Sequence, residues 1–285
     1  MVYRKDVPQT KLVGVCGEKF HGKDTFADLV CGIKRRFFGK PDITANIYQK
    51  LYFAGRLKEI CRKVYGLTDE QLTNPKLKEV KFQYPIFMDN FLSALSKEVG
   101  FKVKPRIKWA YTPRELMQYL GTEYIRSMRP NYWVNYLGNQ IDATEGNYKF
   151  IIPDTRFENE AKIIKDRNGI IVKVVRLDMP PTKDKHASEA GLPDEMIDII
   201  VAARTGELEI MQKVASLIVM GKFTSAKYYD YRGVLKAIQA YQDGEPLNVC
   251  ARHMGKTRYF PNDAFDQCLK YYKVPLRDPY AALKM

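Results

Sequence analysis

Residues 11–25 constrain the fold of this chain more than any other stretch, because an apolar run leads there into a glycine-bounded loop. The run has the composition of a buried parallel strand, with Leu12, Val13, Val15 and Cys16. Four residues separate Gly17 from Gly22, Lys23 follows, and a helical pattern continues from there. A strand, a loop ending in Gly-Lys and a helix form the arrangement that cradles phosphate groups in backbone N–H groups. The helix N-terminus adds its positive dipole end, and the amine of Lys23 can reach the β- and γ-phosphates.

A glycine-rich connecting turn is the alternative interpretation of this loop, because a few fixed identities recur by chance in a chain of 285 residues. The strand pattern before the loop and the helix pattern after it favour phosphate binding. Asp24 departs from the common pattern, since Ser or Thr usually stands there and binds magnesium. Thr25 follows one position later.

Length and composition limit the class of protein. The chain fits one large domain or a domain with an appendage, and we expect a domain over residues 1–220 and a C-terminal extension of unknown role over residues 221–285. No stretch reaches the roughly 20 apolar residues of a membrane span, and the N-terminus lacks the apolar region of a signal peptide. Five scattered cysteines without metal-ligand spacing predict reduced thiols in a cytoplasmic protein.

The formal net charge of +14 is spread along the chain and suits an anionic ligand such as a nucleotide. It also permits loose contact with nucleic acid. The sequence has no helix-turn-helix, RNP or zinc-finger signature, which argues against sequence-specific nucleic-acid binding.

The chain after the loop predicts a helix over residues 23–38 and a second strand over residues 47–54. Another helix then follows and stops at Gly66. Arg56 and Lys58 lie just beyond the strand end, where open α/β sheets place ligands. These two side chains could contact a phosphate or lie solvated in the first helical turn.

Residues 67–110 show no regular pattern and predict an irregular segment with many aromatic side chains. Such side chains could stack on a nucleobase or pack in a core. They are Phe82, Tyr84, Phe87, Phe91, Phe101, Trp109 and Tyr111.

A second informative block spans residues 112–126, where Thr112 and Glu115 form a capping-box pattern with a proline at the first helical position. The polar residues that follow recur at helical spacing and predict one shared face, either a surface that a substrate approaches or a solvated face. These residues are Arg114, Gln118, Gly121 and Thr122. A solvated face does not explain the glycine, which costs about 1 kcal/mol relative to Ala inside a helix. Trp133 follows near this face.

Residues 149–154 predict a buried strand that ends in Asp154, where a P-loop enzyme places an acid that organises magnesium. Arg156 could clamp a phosphate with two N–H groups. Glu158 and Glu160 open the next helix, and complementing the helix dipole is the alternative role for these acids.

A further strand is predicted over residues 170–176, and the polar segment that follows has the composition of a lid over phosphates. Its candidate residues are Lys183, Lys185, His186, Ser188 and Glu189. We assign His186 to orienting a ligand, because phosphoryl transfer depends on positioning and charge neutralisation more than on a strong base. Residues 196–219 predict helical or mixed structure. The extension over residues 221–285 could pack on the core, support a homodimer or contact nucleic acid.

Several of these motifs together resemble the bacteriophage-type deoxynucleoside monophosphate kinases, in that family's order and over roughly residues 11–210. The matching residues are Gly22, Lys23, Asp24 and Thr25; Phe53, Ala54, Leu57 and Lys58; Thr112, Pro113, Arg114, Glu115, Leu116 and Gln118; Leu120, Gly121, Thr122 and Glu123; Trp133 and Val134; Asp154, Arg156 and residues 157–161; and His186, Ser188 and Glu189. Asp24 fits this family, which resembles the chain in carrying Lys-Asp-Thr. Thr155 in place of a commoner Val and Arg204 in place of a frequent Asn are departures, and residues 221–285 match no pattern of the family.

The resemblance implies an α/β fold, namely a P-loop kinase three-layer sandwich with a mostly parallel central sheet, a lid, acceptor-binding insertions and a small C-terminal extension. It implies Mg²⁺-assisted, in-line transfer of the ATP γ-phosphoryl group to deoxynucleoside 5′-monophosphates, as in viral DNA precursor synthesis in a host cytoplasm. A P-loop kinase for another small acceptor, such as dephospho-coenzyme A, and a basic nucleic-acid-binding P-loop protein are the alternatives.

The resemblance also implies roles for individual residues. Those that would bind ATP are Gly17, His21, Gly22, Lys23, Asp24 and Thr25, with Asp24 and Asp154 as ligands of Mg²⁺. Those that would act on the transferred phosphoryl group are Lys23, Asp24, Arg114, Asp154 and Arg156. Those that would bind the monophosphate are Arg56, Lys58, Arg114, Gln118, Gly121, Thr122, Trp133, Asp154, Arg156, Glu160, His186, Ser188 and Glu189.

Overall fold

A computed structural model of the chain describes residues 2–3, 10–32, 36–37, 40–41, 48–144, 148–179, 191–220, 229–245, 249–250, 253 and 269. The chain forms two compact units, one from Met1–Lys50 with Asn147–Met285 and the other from Leu51–Gly146. The second unit is therefore an insertion into the first. The predicted division at residue 220 remains a prediction.

The strands of both units are short, as is usual for sheets flanked by helices. In chain order they are β1 (Val2–Tyr3), β2 (Leu12–Cys16), β3 (Arg36–Phe37), β4 (Lys40–Pro41), β5 (Tyr48–Lys50), β6 (Ile86–Phe87), β7 (Trp109–Ala110), β8 (Lys149–Ile152), β9 (Ile170–Arg176), β10 (Ile199–Ala203) and β11 (Tyr229–Asp230). The first unit contains a seven-stranded sheet in the order β11-β1-β10-β9-β2-β8-β5. From β5 to β10 the five neighbouring strands run parallel, and β1 is antiparallel to β10.

The helices lie mainly between these strands. They are α1 (Lys23–Gly32), α2 (Ala54–Tyr65), α3 (Asp69–Thr73), α4 (Leu92–Val99), α5 (Pro113–Gln118), α6 (Ile125–Met128), α7 (Tyr132–Asp142), α8 (Glu158–Asp166), α9 (Leu208–Met220) and α10 (Tyr231–Gln242). A π-helical turn, Tyr119–Tyr124, joins α5 to α6. Within the ranges that the structure describes, short 3₁₀ turns cover Leu77–Glu79, Met88–Phe91 and Asp194–Met196.

Helices cover both faces of the parallel sheet, and alternate residues of β2 show this directly. Val13 and Val15 belong to a core that includes side chains of α1 and α9. Gly14 faces the other way, where a Cβ would lie 2.7 Å from a methyl carbon of Ile164 on α8. A strand buried on both faces has the continuous apolar sequence seen here. The predicted α/β fold with a mostly parallel central sheet is confirmed.

The second unit has its own core, formed by helices α2 to α7 around side chains that are fully shielded from solvent. Leu72, Leu95 and Leu116 have no exposed area, and each comes from a different helix. Strands β6 and β7 pair at the edge of this unit, with Phe87 opposite Trp109.

Several local predictions agree with the structure. The strand over residues 170–176 is β9. Helix α2 ends at Gly66, whose left-handed φ of 70° lets its N–H cap the helix. Four cysteines in the described residues, Cys16, Cys31, Cys61 and Cys250, take part in no disulfide. None of the described helices is long and apolar enough to cross a membrane.

Other predictions are wrong at element boundaries. The helix predicted over residues 23–38 is described only as far as Gly32, and Arg36–Phe37 instead pairs with Lys40–Pro41 as an antiparallel ladder. The strand predicted over residues 47–54 is confined to β5, because α2 already begins at Ala54. The segment predicted as irregular, residues 67–110, contains α3, α4, β6 and β7, which bury side chains in the core of the second unit.

The glycine at the end of β2 packs directly against the neighbouring strand. Gly17 has a φ of 136°, and a Cβ there would overlap the carbonyl oxygen of Val174 in β9. Gly32 at the end of α1 has ordinary helical space around it, with nothing within 4 Å of a Cβ.

We expect Gly17→Ala to lower the free energy of unfolding by about 2 kcal/mol or more, because it combines overpacking against backbone with a disfavoured φ. The matched control, Gly32→Ala, should leave stability unchanged or raise it by up to about 1 kcal/mol, since Ala favours helix. Urea unfolding of both variants measures these differences. Equal losses in the two variants would contradict the packing argument.

Candidate active site

The loop between β2 and α1 has the backbone that the sequence predicts for a phosphate cradle. Gly17 and Gly22 both have positive φ, 136° and 91°, in the region that glycine reaches without strain. The N–H of Phe26 donates to the carbonyl of Gly22 at 2.9 Å, so the first turn of α1 closes directly on the loop. The N-terminus of α1 and its N–H groups therefore face this loop.

Lys23 closes the loop from the inside. Its Nζ donates to the carbonyl oxygens of Gly17 at 2.7 Å and Glu18 at 2.6 Å. The ammonium group is thus held within the loop, at the place where the motif puts a lysine for phosphates.

Strand β9 fixes the loop from one side. The backbone N–H of Arg176, the last residue of β9, donates to Nδ1 of His21 at 3.2 Å. His21 is buried, and this burial lowers its pKa from the usual value of an imidazole, so the neutral ring accepts this bond. His21 therefore acts as a contact between the loop and β9, in addition to its predicted role with ATP.

The guanidinium of Arg176 lies beside the same loop, and the sequence reasoning missed it. Its Nη2 is 3.6 Å from the position of a Cβ on Gly22. The Nε atom is buried without a hydrogen-bond partner, and Nη1 has only the sulfur of Met179 at 4.0 Å. Among the described residues, no carboxylate lies within ion-pair distance of this guanidinium. An arginine at the carboxyl end of a parallel strand was the available signal, since ligands bind there.

Strand β8 supplies the segment on the other side of β2. The N–H of Thr155 donates to the carbonyl of Val15 at 3.2 Å, and its hydroxyl donates to Ile152 at 3.1 Å. These bonds fix the backbone at Thr155. The half-buried residues Asp154 and Arg156 flank Thr155 just after the end of β8. The substitution of Thr for Val thus adds a hydrogen bond within the segment.

Glu160 holds the start of α8. The carboxylate is buried, with 2% of the residue exposed, and accepts the backbone N–H groups of Arg156 at 2.8 Å and Phe157 at 3.2 Å. The alternative that the sequence left open, an acid that complements the helix start, therefore explains this residue.

The carboxylates proposed for Mg²⁺ are few. Asp24 and Thr25 are exposed in the first turn of α1, and Asp154 is half-buried. Within the described part of the chain, no three His, Cys, Asp or Glu side chains form a metal cluster. This donor set fits Mg²⁺ at a nucleotide, which takes one or two carboxylates and completes its shell with waters and phosphate oxygens.

In the second unit, Arg56 is engaged by acids of its own unit. It pairs with Glu59 at 2.7 Å and with Glu98 at 2.9 Å, and its guanidinium lies 5.2 Å from the ring centre of Tyr136. Only 13% of the side chain is exposed, so the solvated first turn, one of the two alternatives that the sequence left open, does not describe Arg56. Lys58 lies 5.4 Å from the ring centre of Tyr52.

Helix α5 presents the polar residues of the second sequence block. Thr112 accepts the N–H of Glu115 at 3.1 Å, as predicted, but the carboxylate of Glu115 accepts the N–H of Tyr111 at 2.8 Å. Arg114 forms an ion pair with Glu79. Gln118 is half-buried, and its amide makes no hydrogen bond within the described residues.

The π-helical turn changes the face that was predicted from α-helical spacing. Gly121 is buried, and a Cβ there would lie 2.8 Å from Cδ2 of Leu57, whereas Thr122 is half-buried. The predicted single face is therefore wrong for Gly121, because close packing on α2 takes the place of an approaching ligand. Trp133 is 3% exposed, and its Nε1 donates to the carbonyl of Gly121 at 2.8 Å.

The candidate residues divide between the two units. The first unit brings together the loop, His21 and Arg176, and it also contains Asp154 and Arg156, just after strand β8. The second unit contains Arg56, Lys58, Arg114, Gln118, Gly121, Thr122 and Trp133. The predicted lid residues Lys183, Lys185, His186, Ser188 and Glu189 lie outside the described residues, as does most of the C-terminal extension.

Comparison with known proteins agrees with the motif resemblance. The family described as deoxynucleotide monophosphate kinase matches residues 88–214. The deoxynucleoside-5′-monophosphate kinase of Escherichia phage T5 is 25% identical over 218 residues, which cover 65% of this chain and 86% of that protein. The deoxynucleotide monophosphate kinases of Escherichia phage RB69 and Enterobacteria phage T4 are each 26% identical, over 73% of this chain and 99% and 98% of their own lengths. The chain is thus similar in sequence to phage deoxynucleotide monophosphate kinases over most of the length of those proteins.

Proposed function

We propose that this chain is a deoxynucleoside monophosphate kinase, which transfers the γ-phosphoryl group of ATP to a deoxynucleoside 5′-monophosphate and yields ADP and the diphosphate. The observation that carries the proposal is the loop from Gly17 to Lys23. The loop joins β2 to the first turn of α1. Strand β2 lies between β8 and β9, at the point in the parallel sheet where the order of the strands reverses, and open sheets bind ligands at such a point. The relatives bear the name of this activity.

The first unit would bind ATP. Backbone N–H groups of the loop and of the first turn of α1 would hold the phosphate oxygens, and Thr25 would contact the α-phosphate. Lys23 would exchange the carbonyls of Gly17 and Glu18 for β- and γ-phosphate oxygens. Arg156 would neutralise charge that develops as the phosphoryl group moves in line between oxygens.

Asp24 and Asp154 would hold Mg²⁺, in part through waters. Bound Mg²⁺ would supply charge neutralisation across the β- and γ-phosphates. Asp24 is exposed and free to adopt different rotamers, whereas the hydrogen bonds of Thr155 fix the backbone beside Asp154. We therefore assign the more fixed position to Asp154.

Arg176 would contact the donor phosphates as well. A half-buried guanidinium with an unpaired Nε is unfavourable unless an anion pairs with it. The phosphate-binding loop lies next to it, so phosphate oxygens are the anions at hand.

The second unit would bind the monophosphate. Arg114 would exchange the carboxylate of Glu79 for the acceptor phosphate, while Gln118 and Thr122 would contact the nucleoside. Gly121 and Trp133 would support these residues from below, since both are buried and joined by a hydrogen bond. Arg56 would position α2 through its pairs with Glu59 and Glu98, and Lys58 would remain available to a phosphate. The lid, the homodimer and the cytoplasmic location remain predictions.

A panel of monophosphates tests the function. We expect ADP release with one or more deoxynucleoside monophosphates and none with dephospho-coenzyme A, measured by a coupled assay at fixed ATP and Mg²⁺. Lys23→Ala should retain the fold by circular dichroism and lose at least about 100-fold in kcat/KM, because phosphate charge stabilisation is worth several kcal/mol. Turnover of dephospho-coenzyme A alone, or near-normal kcat/KM for Lys23→Ala, would overturn the assignment.

Substitutions of Arg176 and Arg114 are expected to affect different substrates, so each variant serves as the control for the other. Arg176→Ala should raise KM for ATP by about 10-fold or more with a smaller effect on the monophosphate, since a charged hydrogen bond contributes about 1.5–3 kcal/mol. Arg114→Ala should raise KM for the monophosphate and leave ATP binding nearly unchanged. Steady-state kinetics with each substrate varied in turn distinguish the two. Equal losses for both substrates in either variant would contradict the division of roles.

A further inference from the structure

Exposed apolar side chains concentrate on one part of the second unit. In the described residues, eight large hydrophobic side chains are strongly exposed, and five of them lie within residues 80–84 and 107–111. They are Val80 at 55%, Tyr84 at 76%, Ile107 at 88%, Trp109 at 47% and Tyr111 at 49%. We call these five residues the aromatic strip. Exposed apolar side chains that are concentrated in this way mark a binding site more often than scattered ones do.

The two segments of the strip are joined by backbone hydrogen bonds. The N–H of Phe82 donates to the carbonyl of Tyr111 at 2.8 Å, and the N–H of Met88 donates to the carbonyl of Lys108 at 3.0 Å. Strands β6 and β7 pair between these bonds. The strip is therefore a feature of a paired, extended backbone and not of two separate loops.

Alternation along the second segment sends its apolar side chains to one side. Ile107, Trp109 and Tyr111 are exposed, while Ala110 between them is buried. Alternate residues of an extended chain lie roughly 7 Å apart on the same side. The ring of Trp109 packs on that of Phe87 with centroids 4.9 Å apart, which holds it in place while leaving nearly half of the residue exposed.

The surroundings of the strip are positively charged. Residues 80–88 and 101–111 contain five basic side chains and no Asp or Glu. The basic residues are Lys81, Lys102, Lys104, Arg106 and Lys108. Lys108 and Arg106 lie over the rings of Tyr119 and Tyr124, at 5.2 and 5.8 Å from the ring centres.

The neighbouring carboxylates are engaged in other contacts. Asp89 accepts the backbone N–H of Arg106 at 3.0 Å, Glu115 accepts that of Tyr111, and Glu79 pairs with Arg114. Within the described residues, the amines of Lys81, Lys102 and Lys104 form no ion pair. The strip thus presents flat rings beside cations that are available to an anionic partner.

We propose that the aromatic strip binds single-stranded nucleic acid without sequence preference, a property separate from the kinase activity. Bases would stack on Trp109 and Tyr111, and phosphates would contact the basic side chains, which is how such platforms combine stacking with charge. A second copy of the chain is disfavoured as the occupant, because a two-fold contact would place the same five cations opposite one another.

Fluorescence of Trp109 provides the first test. The chain has two tryptophans, and Trp133 is buried, so the exposed indole reports contact with a base. Addition of an oligo(dT) of about 20 nucleotides at low salt should quench the emission, and Trp109→Leu should remove this quenching. The same variant should raise the Kd for a labelled oligonucleotide by about 5-fold or more, since stacking on one aromatic contributes about 1–3 kcal/mol.

Salt dependence provides the second test. The double variant Lys102→Gln with Lys104→Gln should reduce the slope of log K against log salt by about 1.4, at about 0.7 per phosphate contact on a single strand. Lys97→Gln with Lys162→Gln removes the same charge from exposed sites elsewhere and should leave the slope unchanged. Oligo(U) in parallel identifies whether RNA is bound as well as DNA.

Several outcomes would overturn the proposal. The first three are absence of quenching, equal salt slopes in the two double variants, and binding of duplex DNA as tightly as the single strand. The fourth is complete displacement of the oligonucleotide by millimolar monophosphate, which would place the oligonucleotide at the acceptor site. Binding of phosphatidylserine vesicles in place of oligonucleotide, or dimerisation abolished by Trp109→Leu, would assign the strip to a membrane or to a second copy. Phosphotransfer measured on the same samples separates failure here from failure of the kinase assignment.

Discussion

The close approach of Gly17 to strand β9 is the contact on which the candidate donor site depends. No side chain fits between this residue and the carbonyl of Val174, so the loop leaves the sheet at a glycine that packs directly on the backbone of β9. His21 and the backbone of Arg176 fix the loop to β9, and Thr155 fixes the next strand to β2. The loop is thereby held by β9, and the strand that leads into it is held by the segment after β8, so its geometry depends on contacts outside the loop.

Local sequence patterns predict structure best where a strand or helix determines its own ends. The glycine-bounded turn between β2 and α1, strand β9 and the glycine cap of α2 are predictable in this way, because residues close in sequence make their decisive contacts. The short elements over residues 67–110 gave no such signal. Their side chains, such as Leu72 and Leu95, are buried by partners distant in sequence, and helices of this length gain little from their own propensity.

Individual site residues show the same limit. Arg176 lies 155 residues from His21, and only the pairing of β2 with β9 brings them together. Regular α-helical spacing predicts that Gly121 shares a polar face with Arg114 and Gln118, whereas in the π-helical turn it packs against Leu57. For Arg56 the sequence leaves a phosphate contact and a solvated turn open, because its partner Glu98 comes from another helix. The sequence therefore predicts which residues are candidates for the site, but it does not predict which side chains they contact in the fold.

The position of the insertion has an evolutionary consequence. Leu51–Gly146 occupies the single connection between β5 and β8, two adjacent strands whose pairing is fixed by their own side chains and backbone. Insertions, deletions or exchanges confined to that connection change no residue of β5, β8 or the glycine loop. Under the proposed function, selection on this insertion would change acceptor preference separately from the part of the chain proposed to hold the phosphate donor.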